Sequence, residues 1–106
     1  MAYVFERPAA GWTGTLTEDA RLFPSDGAEG DFFGKVAIDG DVIVVGASLA
    51  DASGDDSGVA YVFEKPAGGW TGNRFEDARL LPSTAASDDR FGFAPVVEGA
   101  IVAVGA

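Results

Sequence analysis

The chain repeats itself. Residues 2–25 read AYVFERPAAGWTGTLTEDARLFPS and residues 60–83 read AYVFEKPAGGWTGNRFEDARLLPS, with 18 of 24 positions identical at an offset of 58. The likeness resumes with Phe33-Gly34 against Phe91-Gly92. It ends with Val45-Gly46-Ala47 against Val104-Gly105-Ala106, where the offset has become 59. A period of this length means that one supersecondary unit is used again, and that each copy buries its apolar face against a neighbour.

The pattern inside one period predicts strands. In Ala2–Glu6, Tyr3 and Phe5 alternate with Ala2 and Val4, so both faces of a short strand are usable. Pro8–Gly11 breaks it. Trp12–Leu22, with Thr13, Thr15 and Thr17, reads as an exposed outer strand kinked at Gly14. Glu18–Arg21 is compatible with a helical turn, but Pro24 closes it and the strand reading is preferred. Ser25–Asp31 is a connector. Phe33–Ile38 then forms a strand, Asp39-Gly40 signals a hairpin turn, and Val42–Ala47 returns. Val42-Ile43-Val44-Val45 is apolar on both faces and should be covered on both. Residues 48–58 form a polar, acidic loop. The second copy repeats this order with Glu98-Gly99 at its turn. The expected fold is therefore all-β: β-propeller blades of four antiparallel strands, about two per chain. A β-sandwich is the runner-up, but a sandwich has no reason to keep two copies alike.

Composition removes several functional classes. The 106 residues include no cysteine and no histidine, which removes disulfides, thiolate or imidazole metal sites and any nucleophile–histidine pair. Seventeen acidic against seven basic residues give a net charge of −10, and a nucleic-acid backbone would be repelled. Such a charge suits a solvated surface, and adaptation to high salt is the sharper reading. At 47% hydrophobic the chain is too apolar for disorder, yet no apolar run is long enough to span a membrane. No basic-then-apolar leader follows Met1, so no signal peptide is visible.

The one cluster with oxygen-ligand spacing is Asp51, Ser53, Asp55 and Asp56, with Gly54 and Ser57 beside them. Calcium takes six to eight oxygens and is the metal, and the only candidate cofactor, that such a loop fits. The cluster lacks the bidentate glutamate of an EF-hand, and a plain solvated loop is the preferred reading. Asp31 and Asp88-Asp89 are expected to cap turns. Trp12 and Trp70, at equivalent repeat positions, are expected to pack between units rather than stack on a sugar. Asp39 is better explained by its turn than by a paired-carboxylate site with Asp41. Arg21 and Arg79 are expected to pair with acids within or between units.

Phe33-Gly34, then Val45-Gly46-Ala47, then Ala60-Tyr61-Val62-Phe63, in that order and at this period, resemble the FG-GAP repeat. That repeat builds the seven-bladed propeller of integrin α subunits and of many bacterial extracellular proteins. The resemblance implies that the Phe-Gly strand is innermost, the Gly-Ala strand second, the Tyr-Val-Phe strand third and the Trp-containing strand outermost. Two departures stand out: Ser48 replaces the final proline of the motif, and Pro95 lies within the second Phe-Gly strand. The family's calcium loop joins the first two strands. Here that connection is a tight turn, so the family's ligands have no counterpart.

These readings make residues 1–106 a single unit of two FG-GAP-like repeats, 2–59 and 60–106, circularly offset, with a complete blade at roughly 32–82. Strands missing at one end are the ones present at the other, so copies are expected to join head to tail into a closed ring. With about four to eight blades typical, a homo-oligomer of three or four chains is expected, the trimer narrowly preferred. The expected function is a non-enzymatic scaffold or binding module for a protein or carbohydrate ligand. Family analogy adds an adhesive role outside the cell or on its surface. The alternatives are an engineered or proto-propeller fragment with no evolved activity, and a propeller enzyme acting on polysaccharide.

Overall fold

The computed structural model describes residues 1–27, 33–50, 57–84 and 86–106. Among them the chain forms nine strands and no helix: β1 (Ala2–Val4), β2 (Ala20–Phe23), β3 (Phe33–Asp39), β4 (Val42–Ala47), β5 (Val59–Glu64), β6 (Gly72–Phe75), β7 (Ala78–Leu80), β8 (Pro95–Glu98) and β9 (Ile101–Val104). They make three sheets. The central sheet has the order β3-β4-β5-β7 and is antiparallel throughout. A second sheet runs β1-β2-β6, and β8 pairs with β9 in a hairpin. Among the described residues no helix is long and apolar enough to cross a membrane.

The β-branched run of β4 makes it the centre of the main sheet. Ile43 through Ala47 are buried, with β3 on one side and β5 on the other. Each of its six residues is paired with one on β5, from Val42 with Glu64 to Ala47 with Val59. Around it the core gathers Ala2, Val4, Ala20, Leu22, Val59, Tyr61, Phe63 and Trp70. Phe33 lies edge-on to Tyr61 and Phe63, at 5.5 and 6.3 Å between ring centres. Both hairpin turns sit one residue later than the dipeptide signal predicts. Asp39 still pairs with Val42, and Glu98 with Ile101, so the turn residues are Gly40-Asp41 and Gly99-Ala100. Each glycine takes φ +54 at the first turn position, where a II′ turn places it. Pro95 opens β8, and a strand's first residue tolerates a missing amide donor.

The outer strand differs from the expectation. In the first copy it is confined to Ala20–Phe23, and Trp12 through Thr17 are exposed and outside any strand. In the second copy the corresponding stretch splits. β7 pairs antiparallel with β5, but β6 leaves for the other unit and pairs in parallel with β2. The split falls at Glu76-Asp77. The Asp77 amide donates to the Val62 carbonyl and the Asp77 carboxylate accepts from the Glu64 amide, which fixes the chain there. Asp19, Val4 and Glu6 repeat the device in the first copy. The molecule is drawn out, 47 × 29 × 21 Å, with a radius of gyration of 14.3 Å. A compact chain of this length would have about 13 Å.

Candidate interaction surface

The two units meet through glycine. Phe91-Gly92 runs beside the end of β4 and the start of β5. The Phe91 amide donates to the Ser57 carbonyl at 2.9 Å, and Gly58 and Phe91 form a parallel bridge. A Cβ built on Gly46 would lie 1.8 Å from the Gly92 carbonyl oxygen, and one on Gly92 would lie 2.5 Å from that of Val59. Side chains are excluded at both positions. The Phe-Gly of one repeat and the Gly-Ala of the preceding repeat are therefore the two halves of one joint. At the hairpin tips the Asp39 carboxylate accepts from the Gly99 amide at 2.6 Å.

The outer rim carries a second set of ties. β2 and β6 share four registered pairs, from Ala20 with Gly72 to Phe23 with Phe75, whose rings lie 6.1 Å apart. The Glu76 carboxylate accepts from both the amide and the hydroxyl of Ser25. Asp26 accepts from the Tyr61 hydroxyl at 2.8 Å and from the Arg79 guanidinium, and Lys65 reaches Glu6. Burial alone would push the Asp26 carboxyl up. The bonds from Tyr61 and Arg79, together with the Arg79 charge, outweigh it and hold the group below its ordinary 3.8.

A carboxyl lowered on folding contributes stability that is complete above its unfolded value and is lost as pH falls through the folded value. The Asp26–Arg79 pair is solvent-accessible, so the effect is about 0.5–1 kcal/mol. Asp26→Asn is expected to melt a few degrees below the parent protein at pH 6. The gap should close as the pH falls below 4, in thermal melts across pH 2–6.

The same residues are covered in one copy and bare in the other. Tyr61, Phe63 and Trp70 are 1, 1 and 5% exposed; their counterparts Tyr3, Phe5 and Trp12 are 55, 47 and 57% exposed. Sequence does not explain this, since the segments match; the neighbours do. β5 lies between β4 and β7, whereas β1 has β2 on one side and no strand on the other among the described residues. That open side borders a groove of about 300 Å³ lined by Tyr3, Val4, Phe5, Val36, Ile38 and Ile43. At the other end the β8–β9 hairpin presents its own hollow of about 320 Å³, lined by Val96, Val97, Glu98, Ile101 and Ala103. Gly46 and Gly92 are tightly confronted. Their repeat partners are not: among the described residues, Gly34 has nothing within 4 Å of a built Cβ, and Gly105 meets only Ala94, at 3.8 Å.

Of the residues singled out in the sequence, Asp51, Ser53, Asp55 and Asp56, with Gly54 and Asp31, lie outside the described residues. Among the described residues no three acidic side chains gather as a metal site would require. Asp89 caps its turn by accepting from the Ala86 amide at 2.8 Å. Asp39 does more than shape a turn, because it ties the two hairpin tips. Arg21 pairs within its unit with Glu18, whereas Arg79 pairs across units with Asp26. Trp70 joins the core as expected for packing, and Trp12 does not. Sequence reasoning missed Asp26, which falls at the one-sided end of the repeat opposite Thr84. It also missed Asp19 and Asp77, whose signal was present in the repeated Glu-Asp-Ala-Arg.

No curated protein and no solved structure matches the chain. A family match does exist, over residues 16–63, to the FG-GAP repeat. It runs from just before β2 through β3 and β4 to Phe63 on β5, and so takes in Gly46 of the joint and Gly34, the repeat partner of Gly92. Residues 16–63 of this all-β chain match the FG-GAP repeat.

Proposed function

We propose that the chain is a non-enzymatic binding module of the propeller type, in which β3-β4-β5-β7 is one blade and copies of the chain supply the rest of the ring. The reading rests on one observation: Tyr3, Phe5 and Trp12 are bare where their near-identical counterparts are core. Each large apolar side chain left in water forgoes roughly 1.5–3 kcal/mol, a large sum against the 5–15 kcal/mol that stabilises a domain. A β8–β9 hairpin from one copy beside β1–β2 of the next gives a four-stranded blade with the order of the central sheet. Three copies close six blades and four copies close eight, and the trimer is preferred. The FG-GAP match supports a place outside the cell or on its surface, and a protein or carbohydrate ligand at the rim or channel face. Fold alone does not fix the ligand.

Light scattering or native mass spectrometry on the 106-residue chain, first with calcium and then with chelator, tests the assembly. A discrete trimer or tetramer in both is expected. A folded monomer overturns the ring, and an oligomer lost on chelation assigns Asp51, Ser53, Asp55 and Asp56 to a calcium site.

A further inference from the structure

We infer that Gly14–Thr17 becomes a parallel β-strand on β7 of a second copy of this chain. The inference rests on the propeller reading and adds a second seam to it, at the outer rim.

The template is inside the molecule. Gly14–Thr17 occupies the repeat position of β6, and Ala78–Leu81 that of β2. β6 and β2 are paired in parallel within the chain. Carrying that register across copies sets Ala78 opposite Gly14, Arg79 opposite Thr15, Leu80 opposite Leu16 and Leu81 opposite Thr17. The segment is already bent for the part. Gly72, which opens β6, has φ +62, and Gly14 has φ +68 with no strand beside it among the described residues. The turn leading into each is also the same: the Gly11 amide donates to Pro8 and the Gly69 amide to Pro66, both at 2.8 Å. Trp12 is exposed for the same reason that Thr15 is unpaired. Trp70, two residues before β6, is buried with Ala20 and Leu22 in the core, and the matching surface for Trp12 is β7 of another copy.

The inner seam follows from the same transfer. β4 on β5 gives β9 on β1, with Ile101 opposite Glu6 and Val104 opposite Tyr3. At the hairpin tips, Glu98 stands where Asp39 stands and would accept from Gly40 of the next copy. The rim between copies is not identical to the rim within a chain. Thr84 replaces Asp26, so Tyr3 and Arg21 meet a hydroxyl rather than a carboxylate, and Leu81 with Thr17 replaces the Phe23–Phe75 ring contact. The joint between copies is thereby the weaker one and the place where a ring opens.

The chain has no cysteine, so introduced thiols report cleanly. Thr15→Cys protein is mixed with Arg79→Cys protein under mild oxidation, and separately Glu6→Cys protein with Ile101→Cys protein. All four positions are exposed, and registered strand neighbours lie within disulfide reach. Both mixtures are expected to give cross-linked dimers that neither variant gives alone. Amide exchange at Leu16 and Thr17 should also slow at least tenfold on assembly. A 6–101 link without a 15–79 link, and without slowed exchange, overturns the rim strand and leaves the ring standing. Neither link, with a monomeric mass, overturns both.

Discussion

Gly46→Ala is expected to lower the melting temperature by on the order of 10–20 °C. The added methyl would lie 1.8 Å from the Gly92 carbonyl oxygen, a backbone atom that cannot swing aside. Either β4 or the Phe91-Gly92 segment must retreat, and the bond from the Phe91 amide to Ser57 goes with it. Overpacking a rigid site of this kind costs about 2–3 kcal/mol, and each kcal/mol is worth roughly 4–8 °C in a domain of this size. Gly105→Ala is the matched control. Its new methyl meets only Ala94, side chain and backbone, at ordinary distance, so the fold of a single chain is expected to change by less than about 0.5 kcal/mol. If copies join as proposed, Gly105 confronts Gly34 of the next one, and the same variant should reduce the oligomer seen by light scattering. Calorimetry on the first variant and mass on the second thus read one physical joint at two places.

Phe63→Ala should come close to unfolding the chain, with a loss of about 3–5 kcal/mol. Phe63 is fully buried, lies edge-on to Phe33, and sits on β5 opposite Ile43, so truncation opens a cavity at the centre of the main sheet. Phe5→Ala removes the same ring from the same sequence context at a position already in water. For an isolated chain it should change stability by less than about 0.5 kcal/mol, whereas in the ring proposed above Phe5 is covered and its loss approaches that at Phe63. A urea titration of the two variants therefore separates what the sequence says from what the neighbours do. Equal losses would mean that Phe5 is covered in solution by something other than β1's own surroundings, and the mass of the parent protein would then say whether a second copy covers it.

Much of the fold was legible because the repeat and the two-residue hairpins are local signals. Asp39-Gly40 and the run Val42–Val45 located the central hairpin, and the double-sided apolarity of that run correctly marked a strand covered on both faces. The outer strand was not legible. Whether Gly72–Phe75 pairs with its own unit or with the neighbouring one is decided by β2, about fifty residues earlier, and propensity carries no trace of so distant a partner. The glycines of the joint read as strand residues of the repeated motif, and only the approach of Gly92 to Gly46 shows that lack of space, not backbone freedom, requires glycine at position 46. Asp26 was invisible for a related reason: its partners Tyr61 and Arg79 come from the other unit and recur in the repeat, whereas Asp26 itself does not.

The strand that leaves its own unit also governs how the chain folds. Ala20 and Gly72 find each other across more than fifty residues, so the rim cannot form until both units are largely in place. Closing a loop of that length is slow, and contacts of large sequence separation delay folding. Solenoid repeats can nucleate anywhere and grow outward, because each repeat touches only its nearest neighbour through a simple stack. Here the lacing of β6 into β2 makes the first unit a condition for the second, and the two should appear in refolding kinetics as one cooperative, single-exponential event.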